Sequence, residues 1–198
     1  MQIGSHNGQT GDPLQAHIDS SPGWRGLMVE PTPEHFASLT ECRGGDPRFR
    51  LVRAAVTDHE GTVEMTTVEV SDDLPWWADQ LSTVSVGQRE ALEASPEFAG
   101  RLRTIEVPAI TFDSLTAGVE RIDLLQIDTE GHDSEILDQV DLRRWRPDVV
   151  VFEALSLTSE DLARCRSRLM AAGYVLLADH QDIIAVRRWT SMWPRPRR

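Results

Sequence analysis

The sequence of 198 residues carries 40% hydrophobic and 26% charged side chains, which suits one soluble domain able to bury a core without disulfides or metals. A formal charge of −12 argues against a nucleic-acid backbone as substrate, because phosphate contacts need a basic surface. All 20 basic residues are Arg, which excludes a Schiff-base lysine and a P-loop lysine. No apolar run approaches the length of a membrane span, and no signal-peptide pattern heads the sequence. The expectation is a cytoplasmic protein whose partner is a small molecule, with neither nucleic acid nor membrane. Cys42 and Cys165 lack CxxC spacing and read as inert thiols of a reducing compartment.

In chain order, a short strand enters the loop Gln2-Ile3-Gly4-Ser5-His6-Asn7-Gly8. Asp12 and Pro13 then give an N-cap and a first-turn proline for a helix to about Ser20. Trp24 to Val29 reads as a buried strand ending at Glu30-Pro31. Thr32 and Pro33 repeat the cap-plus-proline signature for a helix through Leu39, which stops before Gly44-Gly45. Phe49 to Val56 is expected as the third strand, Asp58-His59-Glu60-Gly61 as a turn, and Thr62 to Val70 as an antiparallel or edge strand. That alternation is half of a doubly wound sheet.

Residues 71 to 104 break the rhythm with Pro75-Trp76-Trp77, a Ser/Thr patch at Ser82 to Ser85 and a helical pattern from Gln88 to Ala94. Such an insertion reads as a lid or substrate wall, or as an excursion whose Trp residues fill a satellite core. The Trp residues suit a homodimer interface equally well. Regularity returns with Ile105 to Ile110, a short helix near Asp113 to Ala117, a strand at Asp123 to Ile127 and a helix from Ser134 to Val140. Strand Val149 to Phe152 ends at Glu153, and a helix capped by Thr158 runs to about Ala172. Tyr174 to Ala178 and Ile183 to Val186 are separated by too short a gap for anything but an antiparallel hairpin. The basic, proline-rich stretch Trp193 to Arg198 reads as a frayed tail.

Two features carry the chemistry. Glycines in a strand-to-helix loop let the backbone approach a cofactor, and Glu30, 22 residues beyond Gly8, stands where an acid accepts hydrogen bonds from both hydroxyls of an adenosine ribose. The run Ile122 to Ile127 ends abruptly in Asp128-Thr129-Glu130-Gly131-His132, at the carboxyl end of a strand, where open α/β sheets bind ligands. An NAD-binding oxidoreductase would also use a glycine loop and an acid after the second strand. Against it, Gly4 to Gly8 is not the dinucleotide pattern, and a chain without Lys holds no Tyr-xxx-Lys pair.

These blocks resemble the FkbM family of S-adenosylmethionine-dependent methyltransferases. The resemblance rests on the glycine loop, on Gly23 to Pro31, on Ala54-Ala55-Val56-Thr57-Asp58 with Gly61, on Ile127 to His132 with Ile136-Leu137, and on Arg146 to Glu153. It covers nearly the whole chain except 66 to 104, so the expected organisation is a single methyltransferase domain, 1–198, with a variable insertion there. The implied fold is α/β: a class I methyltransferase, Rossmann-like, with a doubly wound, mostly parallel sheet of seven strands closing in a C-terminal antiparallel hairpin. The implied cofactor is S-adenosylmethionine. Gln2, Gly4, Ser5, Asn7 and Gly8 would pass under its methionine moiety, and Glu30 with Pro31 would hold the ribose. Ala55, Val56 and Asp58 would flank the adenine, and Asp128 and Glu130 would face the sulfonium. The implied reaction is O-methylation of a hydroxyl on a sugar or natural-product small molecule.

Two departures stand out. Gln2 occupies a position where many class I enzymes carry an acid. The sequence also starts inside its first strand, without the N-terminal helices that usually cover the substrate; either the start site is misplaced, or the insertion or another subunit would have to close the pocket. Both departures leave room for a non-catalytic or partner-dependent domain of the same fold. For a hydroxyl acceptor, His132 is the first choice of base, since imidazole titrates near neutrality. Asp128 and Glu153, at the ends of adjacent strands, would hold Mg²⁺, serve as a base with a raised pKa, or act as structural carboxylates.

Overall fold

The computed structural model describes residues 1–10, 12–69 and 71–188; Val70 and the tail from Trp193 lie outside the described residues. A seven-stranded sheet organises the chain. The chain enters it with β1 (Gln2–Ile3), an interior strand, followed by α1 (Gln15–Ser20), β2 (Gly26–Val29), α2 (Pro33–Arg43) and β3 (Phe49–Val52). A second, four-stranded sheet takes β4 (Ala55–Val56), β5 (Gly61–Val68), the short β6 (Ser82–Thr83) and β7 (Leu102–Ile110). A 3₁₀ turn (Trp76–Gln80) and α3 (Val86–Ala94) lie between β5 and β7. The chain then returns to the main sheet through α4 (Phe112–Leu115), β8 (Leu124–Ile127), α5 (Asp133–Gln139), β9 (Val149–Glu153), α6 (Ser159–Ala171), β10 (Tyr174–Asp179) and β11 (Asp182–Arg187).

The main sheet runs in the order β10-β11-β9-β8-β1-β2-β3. Strands β3, β2, β1, β8 and β9 pair in parallel, whereas β11 is antiparallel to both β9 and β10. Leu125, Ile127, Val150 and Phe152 from the central strands pack with Phe112, Ile136, Leu137, Cys165 and Leu169 from α4, α5 and α6 in one core. Apolar runs buried on both faces are what a parallel strand needs. Helix ends are specified locally: Thr111 and Thr158 cap α4 and α6 by accepting from Ser114 and Asp161 amides, and Pro33 opens α2. Burial pushes the Cys165 thiol up to about 12, and both cysteines are free.

One expected element divides. Phe49 to Val56 is not a single strand: after Val52 the chain leaves the main sheet, and Ala55–Val56 pairs in parallel with Ala109–Ile110 of the second sheet. The Glu30 amide donates to the Val52 carbonyl at 3.1 Å, which closes the ladder at that point. The expected antiparallel strand after the turn pairs with β7 from Gly61 to Val68. Between them, Ala78, Leu92 and Phe98 join Val68 in a satellite core, where Trp77 meets Phe98 edge-on at 6.0 Å. Trp76, 70% exposed, stays outside it.

Candidate active site

At the carboxyl ends of β1, β2 and β8 the sheet opens into a cavity of about 850 Å³. Its floor is the glycine loop. Gly4 adopts φ +82°, and a Cβ there would sit 1.6 Å from the Asp128 carbonyl oxygen, so only glycine lets the loop lie against the end of β8. The Gly4 and Ser5 amides both donate to the Val29 carbonyl at 3.0 Å, which ties the loop to β2.

Glu30, 5% exposed, lines the cavity and fastens its rim. One carboxylate oxygen accepts from the Thr32 amide and hydroxyl at 2.9 and 2.6 Å, and the other from the His6 amide at 2.9 Å. Thr32 therefore spends its hydroxyl on Glu30 instead of capping α2. Burial raises the Glu30 pKa, and the hydrogen bonds from Thr32 and His6 oppose the rise.

The other wall is acidic. Register places Ile127 opposite Phe152, so Asp128 and Glu153 emerge from adjacent strand ends. Asp128, Glu130 and Glu153 each offer an oxygen within 4.8 Å of the others. The fully buried Asp133 stitches them in place: it accepts from the Glu153 amide at 3.1 Å and from the Thr129 amide and hydroxyl at 3.2 and 2.7 Å. Burial, aided by Asp182 and Asp12, pushes the Asp128 carboxyl up to about 6. Burial and mutual repulsion drive Glu130 and Glu153 upward as well. Asp133 was not singled out in the sequence, where it reads as one more helix-start acid.

His132 ends this loop as the residue before α5, 17% exposed at its side chain. Its Nε2 is buried and has no hydrogen-bond partner, while Nδ1 faces Glu135 at 3.8 Å. Burial lowers its pKa, against the nearby carboxylates of Glu135 and Asp58, so the ring is held neutral at physiological pH.

The expected site residues converge in large part. Gln2, Gly4, Ser5, Glu30, Pro31, Ala55, Val56, Asp128, Glu130 and His132 all line the cavity, with Glu153 beside Asp128 and Glu130. Asn7, Gly8 and Asp58 do not line it. Asn7 instead builds the loop, its side-chain oxygen accepting from the Gln9 and Thr10 amides. Gly8 leaves room for Leu39, and Asp58 pairs with His59 at 2.7 Å in solvent.

Sequence reasoning passed over Asp12, His35, Gln80 and Ser82, which line the same cavity. Asp12 accepts from the Gln2 side-chain amide at 3.0 Å, and its other oxygen is buried without a partner. A carboxylate thus stands beside Gln2, supplied from ten residues further along. The insertion reaches the site too: the Thr83 hydroxyl donates to the Glu130 carbonyl at 2.6 Å, and Gln88 packs against Gly131.

Among the described residues no helix is long and apolar enough to cross a membrane. Comparison with curated proteins and with solved structures returned no match. The methyltransferase FkbM domain model matches residues 2–183, which takes in the whole cavity, the insertion and most of the main sheet. The chain belongs to the FkbM methyltransferase domain family.

Proposed function

We propose that the protein transfers a methyl group from S-adenosylmethionine to a hydroxyl of a small molecule, a sugar or natural-product scaffold. The observation that carries this reading is the convergence on one cavity of a glycine loop flush against β8, a buried acid at the end of β2 and an acidic loop at the end of β8. The strand order with its antiparallel edge pair is also the one expected of a class I methyltransferase. S-adenosylmethionine, when bound, supplies an electrophilic methyl group on a sulfonium.

The chain's own groups divide the remaining work. The Gly4–Ser5 turn admits the methionine backbone, and the unpartnered Asp12 oxygen supplies the negative charge for its ammonium that Gln2 lacks. Glu30 receives ribose hydroxyls on lone pairs left by Thr32 and His6. Asp128 and Glu130, on the cavity wall, would hold the sulfonium end, whose positive charge a nearby carboxylate favours. His132 would take the acceptor hydroxyl's proton on Nε2, with Glu135 on its Nδ1 side favouring the charged ring that results. The trio Asp128, Glu130 and Glu153, with one Glu153 oxygen buried and unpartnered, fits Mg²⁺, whose hard oxygen preference it meets. Mg²⁺ there would offset the repulsion among the three and supply Lewis acidity.

Calorimetric titration with S-adenosylhomocysteine tests the cofactor site. Wild type should bind in the micromolar range, Asp12→Asn roughly tenfold more weakly, the loss of one charge-assisted hydrogen bond. Glu30→Gln should also weaken binding while preserving the shape that holds His6 and Thr32. Absence of binding by folded wild type would overturn the reading.

A further inference from the structure

Outside the carboxylate trio, a second cluster of metal-ligating side chains bridges the glycine loop, helix α2 and the insertion. His6, His35 and Asp79 bring one ligand atom each within 4.8 Å of one another. His6 Nε2 and His35 Nε2 lie 3.7 and 4.0 Å from the same Asp79 oxygen, and the two rings approach to 3.8 Å between centroids. The family chemistry proposed above uses none of the three side chains.

Hydrogen bonding does not account for the cluster. Both ring nitrogens of His6 and the second Asp79 oxygen are buried without a hydrogen-bond partner, although buried polar atoms are nearly always satisfied. His6 also sits at φ +46°, a conformation that a non-glycine residue holds only under constraint.

We propose that His6, His35 and Asp79 bind a divalent transition-metal cation of the Zn²⁺ class, and that the cation fastens the insertion to the glycine loop. Two imidazoles and one carboxylate form a donor set suited to Zn²⁺ and its neighbours rather than to Mg²⁺. Tetrahedral Zn²⁺ with bonds near 2.1 Å sets adjacent ligand atoms about 3.4 Å apart, so the two separations to Asp79, 3.7 and 4.0 Å, contract by roughly half an ångström or less on binding. Glu30 stands 4.0 Å from His35 Nδ1, the far nitrogen, where ligating histidines commonly face a carboxylate. An entry path exists, because His35 and Asp79 also line a neighbouring groove of about 720 Å³. Three protein ligands leave a fourth position to water.

The test uses Co²⁺ and Zn²⁺ on chelator-treated full-length protein, with circular dichroism to verify folding. Wild type should take up Co²⁺ with the visible bands of a tetrahedral site. Those bands should persist in Glu153→Gln, which disables the carboxylate trio, and disappear in His35→Ala and Asp79→Asn, with affinity down more than roughly tenfold. If His35→Ala fails to fold, the conservative Asp79→Asn decides alone. Zn²⁺ should also slow proteolysis between residues 71 and 101 in wild type but not in Asp79→Asn. Bands that survive in Asp79→Asn, bands lost instead in Glu153→Gln, no Co²⁺ uptake at all, or cleavage indifferent to Zn²⁺ would each overturn the proposal. All readouts are taken without cofactor, so their failure leaves the cofactor reading to its own titration.

Discussion

Gly4 is the position at which the loop has least freedom. Replacement by Ala asks a side chain to occupy the space of the Asp128 carbonyl in a backbone conformation that L-residues avoid. Gly4→Ala should cost about 3 kcal/mol or more, read by urea denaturation, and abolish S-adenosylhomocysteine binding; wild-type stability would show that the loop stands off β8. Asp128, across that contact, makes an opposite kind of demand. Its folded pKa of about 6 lies above the unfolded value of 3.8, so the folded state holds the proton more tightly. Stability from this group is therefore complete below pH 4 and is lost as pH rises through 6. Two units correspond to about 3 kcal/mol. In EDTA, Asp128→Asn should gain on wild type by up to that amount between pH 4 and 7, and parallel stability curves for the two proteins would contradict the assigned shift. Glycine spacing and the acidic run mark these residues in the sequence. Asp133 shows the limit of such marking, because only the pairing of β8 with β9 explains why a helix-start acid is buried between them.

The insertion is built from β6, the 3₁₀ turn and α3, and the Thr83 hydroxyl hydrogen-bonds it to the acidic wall. Thr83, 1% exposed, donates to the Glu130 carbonyl and accepts from the Ser85 amide at 2.9 Å. Thr83→Val keeps the shape and leaves both partners unsatisfied, a loss of about 1–3 kcal/mol. Hydrogen exchange should quicken across 82–94 while β1, β8 and β9 keep their protection; uniform loss of protection would mean that the insertion and the main sheet unfold as one unit. Sequence pattern separated this segment from the α/β rhythm but could not fold it. The division of Phe49 to Val56 between two sheets is marked by no Gly or Pro, and Arg53 after Val52 does not signal it, because Arg50 already alternates with apolar residues in the first half. The pairing of β5 with β7 joins residues as far apart as Gly61 and Ala109, a distance at which alternation says nothing about partners. His35 and Asp79 meet for the same reason: one lies in α2, the other arrives only when the insertion folds back.

Across the whole molecule, acidic charge is both global and focused. The net charge of −12 surrounds a cavity whose wall carries Asp12, Glu30, Asp128 and Glu130, with Glu153 beside them. A cleft of one sign with low-dielectric walls concentrates its field on what enters. S-adenosylmethionine and S-adenosylhomocysteine differ by one methyl group and one positive charge, so the protein should distinguish them electrostatically. S-adenosylmethionine should bind more tightly at low ionic strength, and its advantage should shrink as added salt screens charges beyond a Debye length of about 10 Å at 0.1 M. The same advantage should grow as pH rises through about 6, where Asp128 ionises, because each additional carboxylate favours the sulfonium and leaves the neutral thioether unaffected. Parallel calorimetric titrations of the two ligands at pH 5 and 8, each at low and high salt, measure this directly. Equal salt slopes for the two ligands would mean that the carboxylates are neutralised when the cofactor binds, by protons or by the cation that the trio can hold. Repeating the titrations with Mg²⁺ separates those cases: proton uptake would follow pH alone, whereas a bound cation would flatten the difference between the ligands at pH 8 as well.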